Sequence, residues 1–349
     1  MRKLQLSSQY CPSLLGVSYD HTASFSYRII TPLRTLYEVY GARTSWSYID
    51  DLTVLGAGTY DMVILSRVSF VNVDKVRRAI AQFHAVGTRI ILDYDDNFLD
   101  IPDWNPAKLS VEAQDSIRDL LGLVDGVTVS SDTLKRYYAP YAKRIEVIPN
   151  YVETQAWPDT RKDNAKIRIG LLGSRSHVED WKLVENPLRR IMERYGDQVI
   201  LCVSDPVPEY LHDLPLEIQP WVSIDRYPML LNQIDIGLCP LQDDVFNRCK
   251  TGIKALEYGM AGAAIVASPT QYREIVAGRG TIARNEEEWY AGIEKYIVSP
   301  VQRNLAGRLM NQYVRDRWSA QTKAPYIKQA YTTLFRKITH AQGITYAMT

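Results

Sequence analysis

Long apolar runs are missing from this sequence. No stretch approaches the ~20 consecutive apolar residues of a membrane-spanning helix, so stable membrane insertion is not expected. Cysteine is scarce: Cys11, Cys202, Cys239 and Cys249 form no C-x-x-C pair and have no histidine at metal-ligand spacing. That argues against a zinc site or disulfide framework, and no metal site is expected. Cys202 and Cys239 lie in the apolar runs VILCVS and IGLCPL and read as buried thiols. An excess of either charge is also missing, with 41 Lys and Arg against 40 Asp and Glu. A partner recognised through a broad basic field, such as bulk duplex DNA, is disfavoured, while a local basic groove stays open. After Arg2 and Lys3, LQLSSQYCPS lacks the apolar core of a secretory signal, so a reduced, cytoplasmic protein is expected.

What is present is material for two ordinary cores. The 349 residues, 46% hydrophobic and 23% charged, suit two α/β domains. Short apolar runs alternate with helical periods, the signature of parallel sheets. In the first half the strand candidates are 60–67, 88–96, 125–131 and 144–152, with helices expected over 24–41, 73–87, 110–124 and 131–142. Ser131 with Asp132 suits an N-cap, and Gly41 and Gly87 suit helix stops. The polar ETQAWPDTRKDNAK, 153–166, reads as a linker. Alternation restarts with KIRIGLLGS (166–174), a long helix over 178–196 and a strand over 198–205. The runs QIDIGLCPL, AAIVAS, REIVAG and GTIARN then follow in the same set, with a helix through KTGIKALEYGMA. From Glu286 the pattern is helical and needs an apolar surface to cover, one being back on the first domain. The expected division is domain one over 1–155, linker 156–165, domain two 166–320, and a returning helix 321–349.

Open parallel sheets bind ligands beyond the carboxyl ends of their strands, where loops meet helix N-termini. Two such points carry suitable residues. After KIRIG, Gly173 permits close backbone approach, Ser174 can donate, and Arg175 offers a guanidinium fork to a phosphate. A plain glycine turn with Arg175 in solvent fits the same residues. After IGLCPL, Thr251 and Gly252 sit at a helix start that favours anions, and Lys250 adds a full charge there. Glu257, two turns on, suits a ribose diol, or equally a solvated face paired with Lys254.

The run from Phe246 to Gly262, F-N-x-x-K-T-x-x-K-x-L-E-Y-x-x-A-G, resembles the donor domain of GT-B glycosyltransferases, specifically the family-4-like group (glycosyl transferases group 1). GLLGS with His177 and Asp180, IDIGLCPL, Tyr272 with Glu274, Gly278, Gly280 and Glu288-Trp289 agree, over about 166–318. In the first half SYRIITPL, DYDDNFLDIP and VTVSSDTL resemble acceptor-domain segments. The resemblance implies two Rossmann-like doubly wound domains facing a cleft, with C-terminal helices crossing back. It implies a glycosyltransferase that moves a hexose-type sugar from a nucleoside diphosphate sugar, UDP-sugar favoured, to an acceptor hydroxyl without an obligatory metal or cofactor. Arg175 and Lys250 would neutralise the diphosphate, Ser174 and Thr251 would bond it, and Glu257 would hold the ribose. Asp243, Asp244 and Asn247 would lie beside the sugar. One position departs: Cys249 stands where many such enzymes carry a second, sugar-facing glutamate. Either Asp243 or Asp244 substitutes, or the branch is divergent.

Asp93, Asp95 and Asp96 cluster at a strand end facing the expected cleft. There Asp95 and Asp96 could orient an acceptor hydroxyl or act as a general base, and a solvated loop fits them as well. His21, Ser26 and Arg28 could line the acceptor pocket, a lone histidine being more often structural. The acceptor could be a glycan, a lipid-linked sugar or a modified nucleobase, as in phage or bacterial glycan or DNA modification. Two other functions suit the same fold: a sugar-nucleotide epimerase, or a non-catalytic nucleotide-binding protein.

Overall fold

The computed structural model describes residues 10–18, 22–49, 58–67, 72–158 and 164–336. In the first half the strands are β1 (Leu14–Ser18), β2 (Thr44–Tyr48), β3 (Met62–Ser66), β4 (Arg89–Tyr94), β5 (Gly126–Val129) and β6 (Ile145–Val147). They form one sheet in the order β2-β1-β3-β4-β5-β6, every pair parallel. The helices are α1 (Ala23–Phe25), α2 (Thr31–Tyr40), α3 (Val73–Ala85), α4 (Val111–Leu123) and α5 (Asp132–Tyr138), with a π-helical turn over Ser26–Ile30 between α1 and α2. Ser131 caps α5, its Oγ accepting from the Leu134 amide at 3.1 Å.

The second half repeats the plan. Its strands are β7 (Ile167–Leu171), β8 (Val199–Ser204), β9 (Leu216–Gln219), β10 (Ile236–Cys239), β11 (Ala264–Ala267) and β12 (Thr281–Ile282), again all parallel, in the order β12-β11-β10-β7-β8-β9. Its helices are α6 (Val178–Trp181), α7 (Glu185–Tyr195), α8 (Tyr227–Leu231), α9 (Val245–Cys249), α10 (Ile253–Met260), α11 (Arg273–Val276), α12 (Glu286–Val298), α13 (Pro300–Arg317) and α14 (Ala320–Phe335). Strand order reverses between β7 and β10, the crevice where doubly wound sheets bind ligands.

Several elements differ from the expectations. Strands β1, β2 and β9 carry no apolar run long enough to announce them. β1 is interrupted by Gly16, against which Ile29 packs so closely that a Cβ would lie 2.0 Å from its Cγ2. β2 and β9 are edge strands with half-exposed, largely polar side chains. REIVAG, grouped with the strands, is helix α11: the switch of periods is invisible in four residues. The long helix over 178–196 breaks at the 3-10 turn Lys182–Val184, and α7 restarts so that Pro187 falls in its first turn, where its missing amide hydrogen costs no bond.

The C-terminal helix returns to the first half. Ala320, Ile327, Ala330, Tyr331 and Leu334 of α14 share a core with Leu14, Ile29, Leu33 and Ile91. A lone parallel bridge pairs Val152 with Ser319 where the chain crosses between the halves. No helix among the described residues is long and apolar enough to cross a membrane.

Candidate active site

The loops after β7 and β10, flagged independently above, flank the switch point. Beyond β7 the Gly173 amide donates to Ser204 Oγ at 3.0 Å, and Ser174 Oγ pairs with Ser176 Oγ at 2.7 Å. Arg175 is exposed at the start of a 3-10 turn, with no ion pair among the described residues. His177 Nδ1 lies 2.9 Å from Asp180 Oδ2. The fully buried Asp180 also accepts from the Gln242 amide at 2.9 Å and from Asn247 Nδ2 at 2.7 Å, tying the two loops together. Burial holds the His177 pKa below its usual value, Asp180 opposing and Lys250 and Lys254 adding to the depression.

Beyond β10 the arrangement departs from the sequence expectation at the sugar end. Asp243 is exposed and bonded to Arg248 Nε and Nη2 at 2.7 and 2.9 Å. Asp244 caps α9 through the Asn247 amide at 2.7 Å, and burial raises its pKa. Asn247, expected beside the sugar, is fully buried and its amide nitrogen is committed to Asp180, Gln242 and Asp244. Cys249 does not face the cleft either. With Phe246 it enters the core of the first half, burial pushes its thiol up to about 12, and its carbonyl accepts from Ser131 at 2.7 Å. The position that carries a glutamate in the resembling enzymes is here part of the seam between the halves.

The anion-attracting end is better furnished. Lys250 Nζ sits 3.1 Å from Asp96 Oδ1 and 4.4 Å from the Phe246 ring centroid. Thr251 Oγ1 accepts from Asn150 Nδ2 at 3.0 Å. At Gly252, the residue before α10, a Cβ would stand 2.2 Å from Ile275 Cδ1, so any larger residue would require Ile275 to shift. Two residues on, Lys254 Nζ lies 3.4 Å from where a Gly173 Cβ would stand, and has no ion pair among the described residues. Lys254 therefore places its charge directly at the Gly173 turn. Glu257 is 5% exposed, and Tyr27 Oη donates to its Oε1 at 2.5 Å. Burial raises the Glu257 pKa, with Lys254 and the Tyr27 hydroxyl opposing.

On the facing side, Arg28 is corrected from pocket-lining to buried. Only 1% exposed, it grips Asp93 through Nε at 3.1 Å and Nη2 at 2.7 Å, and Thr128 Oγ1 also donates to Asp93 at 2.6 Å. Ser26 is partly exposed at the start of the π turn, and His21 lies outside the described residues. Asp95 and Asp96 are partly buried, paired with Arg67 and Lys250 respectively. Burial alone would raise Asp95, but Arg67 at 3.2 Å, the Ser24 hydroxyl, Arg28 and Lys250 hold it below the usual carboxylate range. Arg67 has φ 48°, a left-handed conformation uncommon for a non-glycine residue. Tyr27, Arg67, Asn150 and Lys254 were not singled out from sequence. Only Lys254 left a usable signal, sharing a helix face with Glu257 at i, i+3.

No protein-family model and no curated protein matches the chain. Solved structures do. HepE from Anabaena in complex with UDP-glucose superposes with TM-score 0.64 at 12% identity, over 92% of this chain and 100% of that one. The trehalose-6-phosphate structure from E. coli bound with UDP-2-fluoro glucose gives 0.62 at 11% identity, over 93% and 100%. TarM of S. aureus, in complex with Fondaparinux, alpha-GlcNAc-glycerol and UDP, gives 0.59 at 10% identity over 79% of this chain; the match spans 55% of TarM's length. With two parallel six-stranded sheets and these neighbours, the chain has the GT-B fold.

Proposed function

We propose that this protein is a glycosyltransferase that transfers a hexose-type sugar from a nucleoside diphosphate sugar, a UDP-sugar first, to an acceptor hydroxyl. The observation that carries the reading is Lys254 against the Gly173 turn, across the switch point of the second sheet. The leaving group of such a donor is a nucleoside diphosphate, so fixed positive charge where negative charge develops lowers the barrier. Lys254, Lys250, exposed Arg175 and the start of α10 supply that charge from the chain itself, which suits a reaction with no obligatory metal. The ribose would exchange with Tyr27 at Glu257. Asp95, held ionised by Arg67, would orient or deprotonate the acceptor hydroxyl, with Asp96 released from Lys250 as the phosphates arrive. A glycan, lipid-linked sugar or nucleobase acceptor suits this chemistry, the last extending to phage or bacterial DNA modification. The cytoplasm, where UDP-sugars are supplied, is the compartment proposed.

A thermal-shift panel of nucleoside diphosphates and nucleotide sugars tests it. A nucleotide well above its Kd adds ~2–4 kcal/mol of stability, and Lys254→Ala or Glu257→Ala should abolish most of the shift. If no nucleotide moves the melting temperature of the wild type, the donor site is wrong. Hydrolysis or transfer from a bound sugar donor separates an enzyme from a nucleotide-binding protein; interconversion of the sugar without transfer identifies an epimerase.

A further inference from the structure

The buried Arg28–Asp93 pair is joined to the donor site by one side chain. Arg28 Nη1 donates to Asn150 Oδ1 at 3.1 Å and also to the Ile148 carbonyl, while Asn150 Nδ2 donates to Thr251 Oγ1 at 3.0 Å. A guanidinium has donors and no acceptor, so only the oxygen of the Asn150 amide can face it. A flipped amide would set NH₂ against N–H in a site where Arg28 is 1% and Asn150 7% exposed. The amide orientation is thereby dictated by chemistry, and Nδ2 must point at Thr251. That donation occupies a lone pair of the Thr251 oxygen. The hydroxyl proton is left to point elsewhere, beside Lys250 and the start of α10.

We infer that Asn150 is a positioning residue that sets Thr251 as a hydrogen-bond donor to the diphosphate of the nucleotide sugar, with Arg28–Asp93 as its anchor. The inference rests on the donor-site reading above and adds a polarity to it. Asn150 follows β6 of the first sheet and Thr251 precedes α10 of the second, so the relay is made across the seam. An anion at α10 then receives a hydroxyl whose direction was fixed before it arrived, which removes part of the ordering cost of binding.

The variant that reverses the relay is Asn150→Asp. Its carboxylate still accepts from Arg28, but its second oxygen accepts from the Thr251 hydroxyl and turns that proton away from the phosphates. The measurement is affinity for UDP and, separately, for uridine, by titration calorimetry on the full chain. Asn150→Asp and Thr251→Val should each weaken UDP roughly tenfold, the effect of losing a hydrogen bond to a charged group. Uridine affinity should stay within twofold for both, by the same energetic scale. Thr251→Ser should bind UDP like the wild type. Because both changes act through one hydroxyl, the double variant should be no weaker than the worse single one. Additive losses, or an equal loss of uridine affinity, would overturn the relay. Should Asn150→Asp fail to fold, the Thr251→Val and Thr251→Ser pair still decides whether a hydroxyl proton reaches the phosphates. A wild type that binds UDP while Thr251→Val binds it equally well refutes the relay and spares the donor site. A wild type that binds no nucleoside diphosphate refutes both.

Discussion

At the scale of single residues, the site is a contest between burial and charge. Glu257 and Asp244 are pushed up by burial, whereas Asp95, more enclosed than Asp244, is held down because Arg67 and Lys250 face it. His177 is the group with a pH consequence near neutrality. Its pKa is lower folded than unfolded, so over that interval the unfolded chain binds more protons. Stability is therefore full above about pH 6.5 and falls as pH drops toward the folded value. His177→Gln should flatten the melting temperature between about pH 7 and about pH 5 relative to wild type; an unchanged slope would show that another group controls it. Gly252 obeys a steric rule instead. Gly252→Ala should cost ~1–3 kcal/mol in denaturant titrations, because Ile275 must move.

At the scale of elements, the unexpected piece is α9. Its five residues belong to the second half by sequence, yet Phe246 and Cys249 pack into the first core beside α5. Helix and loop therefore carry Lys250 and Thr251 to Asp96 and Asn150 rather than into open solvent. Helix α14 does the reverse service, closing one side of the first sheet with side chains from the far end of the chain. Leu334 is fully buried there, and Leu334→Ala should cost ~2–5 kcal/mol by denaturant unfolding. A loss under ~1 kcal/mol would mean that the helix can leave without disturbing the core. Apart from β1, buried but interrupted by Gly16, the legibility of elements followed burial. Strands flanked by helices on both faces, such as β3, β4 and β10, are continuous apolar runs, whereas edge strands β2 and β9 have no such run to read.

At the scale of the whole molecule, four side-chain bonds join the halves around one site: Tyr27–Glu257, Ser131–Cys249, Asn150–Thr251 and Asp96–Lys250. With α14, at the far end of the chain, packed into the core of the first half, the two sheets should melt as one unit despite having separate cores. Scanning calorimetry should give a single transition with matching calorimetric and van't Hoff enthalpies. Two resolved transitions would mean that the seam is weak. Tyr27→Phe removes one bond, worth ~0.5–1.5 kcal/mol, and, if the proposed ribose site is at Glu257, should tighten UDP binding, since a ribose there would no longer compete with a phenol. Weaker binding would instead make Tyr27 part of the nucleotide site.

The sequence alone determined the alternation that builds two parallel sheets, and it marked both loops at the second switch point, because glycine, lysine and helix-start residues at strand ends are local features. It also exposed Cys249 as a departure. Only tertiary structure decided what that departure means, since whether residue 249 faces a sugar or a neighbouring core depends on how two domains meet. The same holds for Arg28, which a local reading lines along a pocket but which is buried against Asp93, 65 residues away in sequence. The roles proposed for Lys254 and Asn150 arise in that way too, from partners distant in sequence, the Gly173 turn after β7 and Arg28 in the π-helical turn. Periodicity reports the faces an element must bury; which charges then oppose each other across a cleft is fixed by long-range packing.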